Sequence, residues 1–501
     1  MKSLWKRSEV LLALGATIVA CIVWQFRLRF PFDDAFISFR YAEHLASGNG
    51  LVWNIGGPPT EGYTNFLFVV MLALVRFVSS DLLAPSQMIG LLATIGSGIL
   101  LLKLATHLRD AIAGIVAASL FWLMPLTWIN ALSGMETSLF VFFVLLSLFL
   151  FAKERLLFAF GACFLATLTR PEGAMLGGIL SLTLIGKMRD GTSNAFWSYA
   201  KAAMGFAVPF MVYAVWKYFY FGTLLPNSFY VKVGEPAKFL PGLQYARLFV
   251  VSILPLVVAG FGIRVWRARP ALLATALWAI SLPIFYLFVT PLEGLYDRFL
   301  WPDFAAFCIT GALGISYLSE RLQIRALPWG IILLQFVVML RSPRTTQSLA
   351  AHEEIWDASM DRIVTELRLL PHVDSLMLAY GDAGYVVYKS GIRHLDLVGL
   401  NDTRIAHART REDRAAIVRD QRPDLLLLPV QTSDGRSVLV EDGYGTAPDS
   451  SFQPVGSFVV FPYRLVLFLN KNTPWPDLSD SIAVRIRTTG SFLSPPPVFS
   501  Q

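Results

Sequence analysis

Residues 63–78 read YTNFLFVVMLALVRFV, and whether they cross a membrane decides which way every later loop faces. A helical crossing takes ~20 apolar residues. This stretch is shorter and is interrupted by Asn65 and Arg76, so it reads as a helix lying at the interface or dipping in without crossing. On both sides of it, apolar runs long enough to span follow one another at 9–26, 86–106, 111–130, 137–152, 156–170, 172–186, 197–220, 245–263, 271–289, 299–318 and 326–341. Eleven crossings are expected.

The composition agrees. Of the 501 residues, 55% are hydrophobic and 15% charged, against about 25% charged in a soluble globular chain. The net charge of +7 does not point to nucleic acid. Residues 1–341 hold 26 Lys and Arg against 16 Asp and Glu, while residues 342–501 hold 16 against 19, so the excess lies in short loops between apolar runs. If 63–78 does not cross, Lys103/Arg109, Lys153/Arg155, Lys187/Arg189/Lys201, Arg264/Arg267/Arg269 and Arg321/Arg325 all fall on one side, which positive-inside makes the cytoplasm. The expected arrangement is a bacterial inner-membrane protein with a cytoplasmic N-terminus and two outer parts: a long first loop, 27–85, and a domain at 342–501. Ile18-Val19-Ala20-Cys21 resembles a lipoprotein cleavage box, but the apolar run continues through Trp24, as in a retained helix.

The tail differs from the rest. Leu376–Ala379, Tyr385–Tyr388, Leu425–Pro429, Phe458–Phe461 and Arg464–Leu469 are short apolar or alternating runs broken by Gly, Pro and Asp, which are strand signals. Segments 351–370 and 403–419 read as helical, so an α/β or α+β domain is expected there; Pro495-Pro496-Pro497 reads as an unstructured end. Cys21, Cys163 and Cys308 all lie within apolar runs, so no disulfide framework and no zinc spacing is present.

Polar residues that could carry chemistry concentrate at the outer ends of the runs. The first loop predicts a helix beginning after Pro31 and stopping at Ser47-Gly48, with Asp33 and Asp34 at its N-terminus and Arg40 two turns along. Two carboxylates there can simply cap the helix. An adjacent pair beside a bilayer also repels itself unless donors or cations hold it, an arrangement that suits a base or a metal ligand. Glu61, Tyr63, Asn65, Glu136, Arg170, Glu172, Asn227, Lys232 and Arg298 occupy the other outer ends. Each alone can be a turn residue, a local ion pair or a snorkelling cation. Together they place acids, cations and aromatics on one rim, as a site for a charged lipid head group requires. No Walker loop, G-x-G-x-x-G after a strand, G-x-S-x-G or H-E-x-x-H occurs, and the six histidines lack ligand spacing. Nucleotide and nucleic-acid partners are not expected.

Eight patches carry a family resemblance: DDAFISFRYAEHLASGNGLVWN (33–54), EGYTNFLF (61–68), SGMET (133–137), TRPEG (169–173), GTLLPNSFYVK (222–232), DRFLWP (297–302), GDAGYVVYKSG (381–391) and DLVGLND (396–402). In these the chain resembles the GT-C glycosyltransferases, multi-span enzymes that take sugars from polyprenyl phosphates. Within that class it is most similar to the mycobacterial terminal arabinofuranosyltransferases and their proteobacterial relatives. The resemblance implies a polytopic helical fold with a C-terminal extracytoplasmic domain that grips the acceptor glycan. It implies Asp33 as base with Asp34 as orienter or metal ligand, the reverse assignment staying open. Glu136 becomes a second acid able to bind substrate or a divalent cation (Mg, Mn or Ca).

Sugar transfer from a phosphate diester needs a base, stabilisation of the leaving phosphate and a seat for the lipid. Arg40, Arg170, Lys232 and Arg298 are candidates for the phosphate; Glu61, Tyr63, Asn65, Glu172 and Asn227 for the substrate. The paired acid with no second nucleophile opposite predicts a single inverting displacement. Three alternatives stand beside arabinofuranosyl transfer: protein O-glycosylation, aminoarabinose transfer to lipid A, and a lipid or sugar transporter. Oligosaccharyl transfer is weakened by the missing Trp-Trp-Asp-Tyr-Gly signature.

Overall fold

The structure is a computed structural model that describes residues 31–188, 193–233, 243, 269–288, 298–341, 358–433, 436–439, 450–460, 463–489 and 493–494. The expected crossings at 9–26 and 245–263, the flanking residue Asp297 and the Pro495–Pro497 end lie outside the described residues. The first loop folds as α1 (Ala35–Ala46) and α2 (Phe66–Arg76). The bundle that follows comprises α3 (Leu83–Leu108), α4 (Ala111–Trp122), α5 (Pro125–Leu132), α6 (Thr137–Ala152), α7 (Leu156–Thr169), α8 (Gly173–Met188), α9 (Ser193–Phe221), α10 (Asn227–Val233), α11 (Pro270–Phe288), α12 (Trp301–Arg321) and α13 (Leu327–Arg341). Among the described residues, three helices are long and apolar enough to cross a membrane by themselves: Leu83–Leu108, Tyr199–Phe221 and Pro270–Phe288. The ambiguous stretch is an 11-residue helix, only about 16 Å long at 1.5 Å per residue.

One expected span is broken. The 111–130 run bends by 60° between α4 and α5. Pro125 forces Met124 into an extended conformation (φ −86°, ψ 120°). The carbonyls freed by the break find side-chain donors: Thr127 Oγ1 donates to Phe121 O at 2.6 Å and Trp128 Nε1 to Trp122 O at 2.6 Å. Local replacement of lost backbone bonds is what an apolar surrounding demands.

Beyond the bundle, a helix over 358–368 leads into a seven-stranded sheet. Strands β1 (Met377–Tyr380), β2 (Arg393–Asp396) and β3 (Leu425–Ser433) are parallel, β1 lying between the other two. Strands β4 (Arg436–Leu439), β5 (Phe452–Val460), β6 (Tyr463–Asn470) and β7 (Leu493–Ser494) add antiparallel, in the order β2-β1-β3-β6-β5-β7 with β4 on β3.

Alternate residues of β3 enter different cores, as the period of two dictates. Leu426 and Leu428 pack with Ala379, Val466 and Phe468, whereas Leu425 and Leu427 join a core that also contains Phe32, Phe36, Phe39 and Trp53 of the first loop. The sheet and the first loop thus share one apolar core, although about 300 residues separate them in the chain.

Two tail expectations are corrected. Tyr385–Tyr388 is not a strand but part of a short helix, Tyr385–Ser390, stopped by Gly391 at φ 74°. Tyr385 and Tyr388, one turn apart, both lie against Phe36 of α1, so contact with the loop decides the local structure. The 403–419 helix is two helices, Thr403–His407 and Arg411–Gln421, the second opened by a capping box from Thr410 and Asp413.

Candidate active site between the first loop and the sheet

Asp34 occupies the N-cap position of α1, yet its side chain makes no capping bond. The simple capping role is therefore not realised. Asp34 Oδ2 instead takes a charged hydrogen bond from Arg298 Nη2 at 2.5 Å. Asp33 turns the other way and accepts from the Tyr385 backbone N–H at 2.7 Å. Both acids remain partly exposed, while Arg298 is buried. The Arg298 guanidinium lies over Phe299 at 4.8 Å, and its Nε–H finds no hydrogen-bond partner among the described residues.

The SGMET turn is brought beside this pair by a bond from Phe32 N to Ser133 O at 2.8 Å. Gly134 takes φ 76° there, a conformation that glycine adopts without strain. Glu136, at the N-cap of α6, is buried and fully engaged: Oε1 by Arg170 Nη1 at 3.3 Å and Oε2 by Asn65 Nδ2 at 2.8 Å. Arg170 also donates to Glu172 Oε1 at 2.9 Å, and Tyr286 O–H joins the same oxygen at 2.8 Å. Glu136 and Arg170 both lie close enough to Arg298 to act on its charge. The structure thus unites Asp33, Asp34, Asn65, Glu136, Arg170, Glu172 and Arg298, drawn from helices far apart in sequence.

Other expected residues fall elsewhere. Glu61 pairs with Lys217 Nζ at 2.8 Å, beside Tyr63, whose hydroxyl is buried without a partner among the described residues. Burial pushes the Glu61 carboxyl up to about 7, against the pull of Lys217. The Glu61 carbonyl accepts from Asn227 N at 3.1 Å, and Asn227 Nδ2 reaches Leu400 O at 3.1 Å, so this second group is a seam between loop, α10 and sheet. Lys232 lies in α10, and its side chain is outside the described residues.

Arg40 is a correction. Expected to meet phosphate, it is buried and spends its donors on Trp53 O (2.9 Å), Val387 O (3.0 Å), Ile392 O (3.1 Å) and Asn54 Oδ1 (3.2 Å), with its guanidinium 4.7 Å over the Trp53 ring. It clamps loop to sheet. Around it Trp53 Nε1 donates to His394 Nδ1 at 3.1 Å and Tyr41 O–H to Asn401 Oδ1 at 3.1 Å. Burial and the charge of Arg40 hold the His394 imidazole down at about 3.

Among the described residues Asp34 and Glu136 do not form part of a ready-made three-ligand cation site. Both Glu136 oxygens are taken, Asp34 is bound by a guanidinium, and among the described residues no three His, Cys, Asp or Glu side chains converge as ligands.

The sequence reading gave no role to residues 380–385. Tyr380 O–H donates to Asp382 Oδ2 at 2.7 Å, and Asp382 lies near enough to Asp34 for their charges to interact. Gly384 abuts Asp33. The available signal was the position of GDAG at the carboxyl end of a parallel strand, where α/β sheets gather ligands.

A model of a domain of unknown function, DUF8728, matches residues 359–475. No curated protein matches the chain. Among solved structures, ArnT from Cupriavidus metallidurans, solved bound to undecaprenyl phosphate, is similar over 92% of this chain and 98% of its own, with TM-score 0.57 and 14% identity. The oligosaccharyltransferase AglB from Archaeoglobus fulgidus, in complex with an inhibitory peptide and a dolichol-phosphate, is similar over 98% of this chain and 78% of its own, with TM-score 0.55 and 12% identity. An apo form of the Archaeoglobus oligosaccharyltransferase gives TM-score 0.54 at 12% identity over 85% of this chain and 69% of its own. The chain shares the fold of these solved structures: a polytopic helical membrane protein carrying a C-terminal sheet domain.

Proposed function

We propose that this chain is a membrane glycosyltransferase that moves a sugar from a polyprenyl-phosphate donor to a cell-envelope glycan or glycoconjugate. The observation that carries the reading is the Asp33/Asp34 pair, with one acid held by a backbone amide and the other by Arg298, whose Nε–H has no hydrogen-bond partner among the described residues. Asp33, partly exposed, takes the proton of an acceptor hydroxyl as the new bond to the anomeric carbon forms. The bond from that carbon to the phosphate oxygen breaks, and its electron pair leaves with the polyprenyl phosphate. Arg298 meets the charge that develops there, and Asp34 keeps the guanidinium in place. Arg170, saturated by Glu136 and Glu172, holds the floor of the site. The displacement is single and inverting, since no second nucleophile is required.

At the finer level we assign arabinofuranose as the donor sugar, on the resemblance of the eight patches. The acids and the sheet domain are placed on the outer face of the bacterial inner membrane by the charge of the opposite loops. ArnT and the oligosaccharyltransferase are both similar in architecture, so the donor rests on the sequence patches alone. Purified protein incubated with a panel of polyprenyl-phosphate sugars, with products weighed by mass spectrometry, tests the reading. Transfer of a pentose supports it; transfer of another sugar corrects the donor; no transfer from any donor removes the enzymatic reading.

A further inference from the structure

Strand β1 ends at Tyr380, and the next five residues run against the start of α1. There the Tyr385 N–H meets Asp33 Oδ1 at 2.7 Å. A Cβ on Gly384 would collide with the Asp33 carboxylate and with the Asp33 backbone oxygen, so glycine alone allows this approach. Asp382, anchored by Tyr380, sets a third carboxyl beside Asp34.

Docking of the domain does not explain these contacts. Arg40, the Trp53–His394 pair and the Tyr41–Asn401 pair already fasten the loop to the sheet. Placing Asp382 next to Asp34 opposes two like charges, which costs stability and adds nothing to docking. Burial and the charge of Asp34 push the Asp382 carboxyl above the ordinary range, as two acids held together in a shielded site require.

We propose that the C-terminal sheet domain is part of the catalytic centre: Gly384 and the Tyr385 amide fix the base Asp33, and Tyr380 holds Asp382 as a further acid of the same centre. This rests on the reading of Asp33 as base and gives the domain matched over 359–475 a catalytic role.

The test uses the full chain purified in detergent, with the donor found in the panel. Gly384→Ala should lower kcat about 100-fold, the scale of a misplaced catalytic group, with KM for the donor within about threefold. Asp382→Asn should lower kcat about tenfold while its thermal midpoint stays level or rises, because a repulsion is removed. A residue that merely supports the fold would lose stability instead. A readout independent of activity is hydrogen exchange over residues 381–388: Asp33→Ala should release the Tyr385 amide. Full kcat in both Gly384→Ala and Asp382→Asn overturns the proposal, as does unchanged exchange in Asp33→Ala. Should the wild-type chain transfer no sugar, the functional reading falls while the exchange experiment still decides whether the domain holds Asp33.

Discussion

The two ends of the helical bundle use the same residue types in opposite ways. At one end Glu136, Arg170 and Arg298 are 3%, 5% and 6% exposed, Arg170 bonded to Glu136 and Glu172 and Arg298 to Asp34. At the other, Arg109 pairs with Glu320 at 2.7 Å and Lys153 with His107 at 3.1 Å, with the Glu320 side chain 77% exposed. An exposed pair in water is worth ~0–1 kcal/mol. A buried one is costly to form, and removal of one partner strands a charge at about 3–5 kcal/mol. The Arg109 end therefore carries its charges cheaply, while the Glu136 end retains them at a cost that a function must justify.

Asp33→Asn should break that contrast most severely, lowering transfer by about 10²–10⁴-fold, the usual worth of a positioned base, with expression preserved; full activity in a mass-based assay would remove the base assignment. Next, Arg170→Met should destabilise the protein by about 3–5 kcal/mol by stranding Glu136 and Glu172, whereas Arg109→Met should cost under about 1 kcal/mol. Equal thermal shifts in detergent would erase the difference between the ends. Arg40→Lys, which cannot span three carbonyls, should cost about 1–3 kcal/mol and speed proteolysis at the loop–sheet seam, while the donor KM stays unchanged.

The smallest effect is one of pH. His394 is held neutral down to about 3 in the folded chain, against an ordinary value near 6.5. The unfolded chain thus binds a proton first, and stability falls as pH drops from about 6.5 toward 3, by up to ~1.4 kcal/mol per pH unit for one proton. Asp396 works in the opposite sense. Burial raises its carboxyl to about 6, so its penalty fades as pH falls through that value. His394→Gln should remove the first contribution, and its melting point should fall less than the wild type's between pH 6.5 and 5.

Much of this contrast was legible before any coordinates. The helix after Pro31, the short helix within 63–78 and strands expected at 376–379, 425–429 and 464–469, found at 377–380, 425–433 and 463–470, follow from period and breakers. The gathering of Asp33, Glu136, Arg170 and Arg298 at one end follows from loop parity. The partner of each charge was not legible. Arg40 and Arg298 look alike in sequence, and only the fold sends one to three carbonyls and the other to Asp34. Tyr385–Tyr388 carries a strand composition, but a helix suits the aromatic contact with Phe36, and tertiary packing overrides propensity. Asp382 reads as an ordinary turn acid because nothing local marks a residue whose meaning comes from Asp34, far back in the chain.

The core shared by Phe32, Phe36 and Trp53 with Leu425, Leu427 and Leu467 bears on how the chain is made. The opening loop leaves the ribosome early, but its greasy side, resting on Leu72, Ile129 and Leu139 of the helices, is not fully covered until the strands have been synthesised. Closing so long a loop is slow and exposes sticky surface meanwhile. Chains cut short anywhere before that point carry a bare apolar face, so truncation would yield aggregates rather than a smaller working enzyme.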